Sequence, residues 1–347
     1  MRGCAPRRLL PEFGFAVIFF ALAMGSSTSK FSVDLKQLLP GFHQRRFSVR
    51  GVGFNAFIWQ GNAPGPVLLL NGATHGDEYE GPTLLRQWAE RWRPKNLRGT
   101  VVMVPVLNEG AFYAGLRSNP ADDLNLARAF PGDARGSITQ RLAHVFDTQL
   151  LAQVTHYVDL HSAGRAYELL PWTGFITHEK SINRTQRAMA ACFDAFWCWA
   201  GPFLPGRTLS AAHCRKIAAI YVECRGTGDV DPRDLRNLDR GLRHLLAALE
   251  IMPAKRPAKL RAQIQRTTKD ADEAHLQIHH PAPYDGLFVP TAKVGAHVRR
   301  GQVLGTVHAL DQIGATTVRA ERSGRIVMWR VQRSVSKGDA LCTLAPI

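Results

Sequence analysis

The chain has 347 residues, of which 45% are hydrophobic and 21% are charged, and these proportions are ordinary for a globular protein with room for two domains. Lysine plus arginine number 44 against 28 aspartates and glutamates, so the net charge is +16. The basic residues are scattered and form no polybasic tract, zinc finger or helix-turn-helix pattern. We therefore expect no nucleic-acid binding. A modest attraction for small anions is the milder consequence of this charge.

The first 23 residues form a segment of their own. Three arginines precede the apolar run 13–24, and Ala21-Leu-Ala23 is similar to a signal-peptide cleavage site. The run is too short to span a bilayer comfortably, and Met24 is an alternative start. Removal of residues 1–23 leaves five cysteines, an odd number that favours reduced thiols. We expect a cytoplasmic protein, with a periplasmic or secreted one as the alternative, and no stable membrane association unless residues 1–23 are retained.

Residues 24–252 alternate between predicted strands and predicted helices. Helices are predicted to begin at Pro82 and after Ser137, and leucines at a spacing of three and four predict a last helix over 235–249. Apolar runs predict strands over residues 45–60, 66–73, 100–106, 154–160 and 217–223. This alternation predicts a three-layer α/β/α domain that carries its ligands at the ends of strands.

Two of these predicted strands run into a histidine. His75 and Glu78 follow one strand, and His161 ends another. Imidazole and carboxylate groups are common zinc ligands, and a catalytic zinc uses three protein ligands and leaves a fourth position for water. A lone HxxE pattern is more often structural. The second histidine at a strand end makes a metal site the favoured interpretation.

Four motifs, in the correct order, resemble those of the succinylglutamate desuccinylase/aspartoacylase family, which is related to the zinc carboxypeptidases. The family's HGDExEG motif is matched by residues 75–81 and its DLHxxG motif by residues 159–164. Its NLNRxFPG box is matched by residues 125–132, and the strand that ends in its catalytic glutamate by residues 217–223. The resemblance spans about residues 45–250, and four ordered motifs are far more specific than one.

The resemblance implies a role for each matched residue. It implies that His75, Glu78 and His161 bind one Zn²⁺ per chain. It also implies that Glu223 is the general base and that Arg117 stabilises the oxyanion. Asp159, two residues before His161, is either a group that orients this ligand or a strand-end residue.

Substrate binding would involve Asn125, Arg128 and Arg225. A planar guanidinium such as that of Arg128 binds a carboxylate in bidentate fashion. Ala127 stands where the family box has an asparagine, and an amide donor beside Arg128 is thereby lost. We therefore expect either a different or smaller anionic group on the substrate, or a substitute donor such as Arg225.

The implied function is a zinc-dependent hydrolase that removes the acyl group from an N-acyl amino acid or a related small carboxylate-bearing amide. Its partner would be a small anionic substrate, and a homo-oligomer is possible. Two alternatives stay open. One is a zinc carboxypeptidase that acts on peptides, and the other is a non-catalytic metal-binding protein with the same fold.

The C-terminal part has a different pattern. Residues 253–283 are predicted as a linker, and residues 284–347, here called the C-terminal module, as a small all-β domain. Val298–Leu304 and Val335–Leu341 form a degenerate repeat in which each copy predicts a turn between short strands. This pattern resembles the barrel-sandwich hybrid of biotinyl and lipoyl carriers. No lysine stands at the matching hairpin, residues 306–311, so a structural or site-covering role is favoured over a swinging arm.

We predict that the C-terminal module carries neither biotin nor lipoate, because its hairpin lacks the lysine that these groups modify. The intact mass of purified protein should equal the mass of the polypeptide. An added mass that maps to residues 284–347 by peptide mass spectrometry would contradict the structural role.

Overall fold

A computed structural model describes residues 33–193, 197–253, 264–265 and 276–345. The predicted segment 1–23 and most of the predicted linker therefore lie outside the described residues. The strands are β1 (Gly41–Val49), β2 (Val52–Gln60), β3 (Ala63–Asn71), β4 (Arg98–Val104), β5 (His156–Ser162), β6 (Tyr167–Leu169), β7 (Trp172–Ile176), β8 (Trp197–Gly201), β9 (Ala218–Cys224), β10 (Ile264–Gln265), β11 (Gly286–Pro290), β12 (His297–Val298), β13 (Val303–His308), β14 (Ala315–Arg319), β15 (Gly324–Arg330), β16 (Ser334–Val335) and β17 (Cys342–Ala345). The helices are α1 (Glu80–Arg91), α2 (Glu109–Ala114), α3 (Ile138–Val145), α4 (Lys180–Ala191), α5 (Thr208–Cys214) and α6 (Pro232–Ala248).

A nine-stranded mixed sheet organises the larger part of the chain. Its strand order is β1-β2-β4-β3-β5-β9-β7-β8-β10. The central strands β4, β3, β5 and β9 are parallel to one another. Their carboxyl ends therefore meet at one edge of the sheet, which is where open α/β folds bind their ligands.

Helices cover both faces of this sheet. Side chains alternate along a strand, so Leu68 and Leu70 of β3 pack in a cluster with α1, α4 and α6. Leu69 points to the other face and packs in a cluster with α3 and α5. The predicted three-layer α/β/α architecture is confirmed.

Helix α3 begins where the sequence predicts, whereas α1 begins earlier than predicted. Ser137 and Gln140 form a capping box at the start of α3, as predicted from Ser137. Helix α1 begins at Glu80, two residues before Pro82, and no side chain caps it. Between them these helices supply Leu84, Leu85, Trp88 and Leu142 to the two cores.

The segment between β5 and β9 contains more secondary structure than the sequence predicted. It contains β6, β7, β8, α4 and α5, none of which was predicted. Strand β7 pairs antiparallel with β9 and parallel with β8. The sheet therefore continues beyond the strands that carry the predicted ligands.

The C-terminal module has two small antiparallel sheets, β14-β13-β11-β16 and β12-β15-β17. Each repeat copy forms a turn between short strands, as predicted. Strand β6 pairs with β15, which ties the module to the larger sheet region. The buried Arg330 reinforces this connection, because its guanidinium donates to the Tyr167 hydroxyl at 3.1 Å and pairs with Asp339 at 2.8 Å.

Within the described residues, no helix is both long and apolar enough to cross a membrane. The five cysteines of this part, Cys192, Cys198, Cys214, Cys224 and Cys342, form no disulfide with one another. Four of them are buried, where a free thiol acts as a small apolar side chain.

Candidate functional site

The loop after β3 is held tightly in the conformation that presents two of the predicted ligands. Ala73 has a positive φ of 48°, and a Cβ at Gly76 would lie 2.0 Å from the backbone of Ala111 in α2. Only glycine permits such an approach. The chain is therefore fixed on both sides of His75, which leads directly to Glu78.

The three predicted metal ligands converge. His75 Nδ1 lies 2.7 Å from Glu78 Oε1, and His161 Nδ1 lies 2.8 Å from Glu78 Oε2. One ligand atom from each of the three residues lies within 4.8 Å of the others. The side chains of His75 and Glu78 are 4% and 2% exposed and that of His161 is 10% exposed, so the cluster is shielded from bulk water.

The opposite nitrogen of each imidazole has an oxygen partner. His75 Nε2 lies 3.0 Å from Asn125 Oδ1, which also accepts from the Ala127 backbone N–H. His161 Nε2 lies 2.9 Å from Asp159 Oδ2. Both partners are acceptors, so each Nε2 carries the hydrogen. Asp159 is therefore the group that orients His161, one of the two roles considered for it.

Asp159 is itself held by hydrogen bonds. The Thr74 hydroxyl donates to its Oδ1 at 3.1 Å, and the Thr208 hydroxyl donates to its Oδ2. Asn71 in turn donates to Thr74 at 3.0 Å. This buried network fixes the carboxylate, and with it the ring of His161, before any ligand binds.

The donor set fits a divalent cation. Burial and the charge of Arg117 lower the pKa of His75, which favours the neutral imidazole, the form that binds a metal. Burial opposes a charge on His161, but Asp159 and Glu78 raise its pKa well above the usual value. The same negative charges would attract a metal ion, and two imidazoles with one carboxylate are a typical zinc set.

Glu223 lies beside this cluster on the neighbouring strand. Its Cα is the register partner of His161 Cα between β9 and β5, so both side chains leave the same face of the sheet. Burial raises the pKa of Glu223 to about 8, against the opposing effect of His161. A nearby divalent cation would favour its charged form.

Three arginines line the cavity beside the cluster. Arg117 Nη1 lies 3.3 Å from Glu78 Oε1. Burial, together with the positive charges of Arg207 and Arg117, lowers the pKa of Arg128 to about 10. Burial likewise lowers the pKa of Arg207, in opposition to Tyr221 and Glu223. Three cations held this close together are suited to an anion.

The cavity has a volume of about 330 Å³, which suits a small molecule. The arginines, Glu223 and the histidines line it together with apolar and aromatic side chains, which include Trp172, Trp199, Tyr221, Leu276 and Met328. Met328 belongs to β15, so the C-terminal module contributes to the wall.

The structure does not bring every predicted residue to the cavity. Arg225 donates to Glu168 at 2.8 Å and lies 3.6 and 3.7 Å from Asp231 and Asp234, and it does not line the cavity. This placement does not support Arg225 as a substitute donor to the substrate, because its guanidinium is engaged by carboxylates. Asn125 supports His75 from behind and does not line the cavity either.

Sequence reasoning missed Arg207, Thr208, Trp172 and Trp199. No motif marks these residues, because β7, β8 and α5 were not predicted. A signal was available only for Tyr221, which stands two residues before Glu223 on the same strand and therefore on the same face.

The model of the succinylglutamate desuccinylase/aspartoacylase catalytic domain matches residues 64–249. The chain belongs to this family. It is 32% identical over 288 residues to the N-alpha-acetyl-L-2,4-diaminobutyric acid deacetylase of Halomonas elongata. The aligned region covers 82% of this chain and 83% of that protein. The chain is therefore a hydrolase of the deacylase type.

Solved structures of the family share the fold over most of the chain. The product-bound ectoine utilization protein EutE (DoeB) of Ruegeria pomeroyi is 27% identical, with a TM-score of 0.79 over 89% of this chain and 97% of that one. A succinylglutamate desuccinylase of Silicibacter sp. TM1040 is 26% identical, with a TM-score of 0.78 over 89% and 95% of the two chains. The two-part α/β architecture is thus that of the family.

We predict that His75→Ala combined with His161→Ala abolishes stoichiometric zinc binding, because one carboxylate cannot hold the ion alone. Elemental analysis of purified protein measures the metal content. The matched control is His297→Ala, which removes an exposed histidine of the C-terminal module and should leave the content at one per chain. Stoichiometric zinc in the double variant would refute this ligand set.

We predict that Arg225→Gln lowers stability and leaves the KM for the substrate unchanged. The substitution removes the hydrogen bond from the guanidinium to Glu168 and leaves the buried Asp234 without a nearby cation. Loss of a hydrogen bond to a charged group costs about 1.5–3 kcal/mol. Thermal unfolding and steady-state kinetics measure the two effects. A rise in KM with an unchanged Tm would contradict this prediction and support a role of Arg225 in substrate binding.

Proposed function

We propose that the chain is a zinc-dependent deacylase that hydrolyses the amide bond of a small N-acyl amino acid with a free carboxylate. One observation carries this proposal. A single cavity is lined by the buried His75–Glu78–His161 cluster, the partly buried Glu223 and three arginines. The reacting amide and an anionic group of the substrate can therefore be bound together, a short distance apart.

The residues of the chain have distinct tasks in this reaction. A zinc ion, when bound, activates water and polarises the amide carbonyl. Glu223 accepts a proton from the attacking water and passes it to the leaving nitrogen, so the products are a carboxylic acid and a free amine. Arg117 stabilises the negative charge that develops on the carbonyl oxygen, which is larger in the transition state than in the substrate.

The substrate carboxylate is assigned to Arg128 and Arg207. Arg207 is partly buried and Arg128 is more exposed, and loss of hydration together with the charges of neighbouring arginines lowers the pKa of each guanidinium. A carboxylate neutralises part of this charge when it binds. Ala127, which lines the cavity beside Arg128, leaves space where the family box has an amide. This space suits an anionic group that differs from the family's usual one.

The relative from Halomonas elongata supports an N-acyl amino acid as the substrate class, since its printed activity is deacetylation of N-alpha-acetyl-L-2,4-diaminobutyric acid. The carboxypeptidase alternative requires room for a peptide chain. A cavity of about 330 Å³ whose wall includes the C-terminal module favours a small molecule. The non-catalytic alternative does not explain why the carboxylate of Glu223 lines the cavity beside the histidine cluster.

We predict that Glu223→Gln keeps the zinc and the fold but lowers kcat by about 10²–10⁴. Glutamine has nearly the same shape as glutamate, but it cannot accept the proton of water. Release of free amino acid from N-acetyl and N-succinyl amino acids measures the activity, with a blocked peptide as the test of the carboxypeptidase alternative.

Removal of zinc with a chelator should stop the reaction, and added Zn²⁺ should restore it.

The control for this substitution is Glu90→Gln, which makes the same change at an exposed position of α1. It should retain full activity. Near-normal turnover by Glu223→Gln would place the base elsewhere. Release of a terminal residue from the peptide, without hydrolysis of any N-acyl amino acid, would refute the proposed function and support the carboxypeptidase alternative.

A further inference from the structure

One wall of the cavity is built by three neighbouring strands in register. Tyr221 on β9 pairs with Gly174 on β7, and Gly174 pairs with Trp199 on β8. Two residues along, Glu223 pairs with Trp172. Residues two apart on a strand share a face. Tyr221, Trp199 and Trp172 therefore stand on the same face of the sheet as Glu223, and all four line the cavity.

Gly174 opens the space between the aromatic rings. A Cβ at this position would lie 2.2 Å from the Tyr221 ring. Any side chain would therefore displace that ring, and only glycine lets it lie against the strand. The rings of Trp172 and Trp199 lie 6.3 Å apart at an angle of 48°. Together these features form a wall of flat apolar surface immediately beside the proposed base.

Side chains from elsewhere in the chain extend this apolar wall. Met328 of the C-terminal module packs in one buried cluster with Trp172 and Leu169, and Leu276 packs against the same cluster. All of these line the cavity. The carboxylates that line it among the described residues are Glu78, Asp159 and Glu223, and all three belong to the histidine cluster or the neighbouring base.

We propose that this wall, formed by Trp172, Trp199, Tyr221 and Met328, is a subsite for an uncharged apolar group about as large as an aromatic ring. The proposal rests on the proposed function and names the substrate class of that site. A substrate ammonium group would be repelled by the three arginines that share the cavity. A second carboxylate would meet aromatic faces, whose negative potential repels anions, and both charged groups would lose hydration.

The apolar group can belong to the amino acid or to the acyl part of the substrate. N-acetyl-L-phenylalanine carries it on the amino acid, and N-benzoylglycine carries it on the acyl group. N-acetylglycine lacks it. N-acetyl-L-aspartate and N-acetyl-L-2,4-diaminobutyrate replace it by an anionic and a cationic group. These five compounds share the amide and one carboxylate, so differences between them report the subsite.

The first experiment measures binding without turnover. Calorimetric titration of the zinc-loaded Glu223→Gln variant should show one of the two apolar compounds binding about tenfold or more tightly than N-acetylglycine, a typical discrimination by an apolar pocket. Whichever compound binds more tightly assigns the side of the amide that enters the subsite. Equal binding of N-acetylglycine, or tighter binding of either compound with a charged side chain, overturns the proposal.

The second experiment removes part of the wall. Trp199→Ala should lower the ratio of kcat/KM for the better apolar substrate to kcat/KM for N-acetylglycine by about tenfold. Trp59→Ala removes a partly buried tryptophan outside the cavity, and it should leave this ratio unchanged. If Trp199→Ala does not fold, Trp199→Leu replaces it. An unchanged ratio in a folded Trp199 variant overturns the proposal.

The two experiments separate the subsite from the reaction. Selective binding of an apolar compound without hydrolysis of any N-acyl amino acid by the wild type would support the subsite and refute the proposed deacylation. Hydrolysis with a preference for a charged side chain would support deacylation and refute the subsite.

Discussion

The site depends on one buried carboxylate that is shared between two imidazole rings. Each oxygen of Glu78 faces the Nδ1 of a different histidine at 2.7–2.8 Å. A buried charge is tolerated only where opposite charge or hydrogen bonds compensate for lost hydration. The surrounding residues supply this compensation. Asn125 and Asp159 accept hydrogen bonds from the Nε2 atoms of the two histidines, and the hydroxyls of two threonines donate to Asp159. The fold around the site therefore maintains the ring orientations that a cation requires.

The parallel strands explain why these residues meet although they are far apart in the sequence. Strands β3, β5 and β9 end at the same edge, and register aligns His161 with Glu223. His75 and Glu78 reach the same edge through a loop fixed by the close approach of α2 at Gly76. Three separate segments thus contribute residues to one cluster. The position of the proposed base follows from the pairing of β9 with β5.

Sequence reasoning could predict the parts of the site that are marked locally. Apolar runs predicted the strands, because buried parallel strands are continuous apolar runs. The histidines at their ends predicted the cluster that converges at the edge of the sheet. The aromatic wall could not be predicted in this way. Its residues come from β7, β8, β9 and β15, and what they have in common is their register, which depends on pairing between distant strands. Arg225 shows the converse limit. It stands two residues after Glu223 in the sequence, but its side chain turns to Glu168 and Asp231.

The cavity lining combines arginines with aromatic side chains, and Glu223 lies beside both groups. The arginines favour anions, and burial together with the like charges of Arg207 and Arg117 lowers the pKa of Arg128. The aromatic rings exclude water from the neighbourhood of Glu223, and burial raises the pKa of its carboxyl group. A base with a raised pKa holds a transferred proton more readily, whereas a cation at the histidine cluster keeps the group ionised before transfer. The wall that would select the substrate therefore also adjusts the basicity of the residue that would act on it, because both follow from the same pair of neighbouring strands.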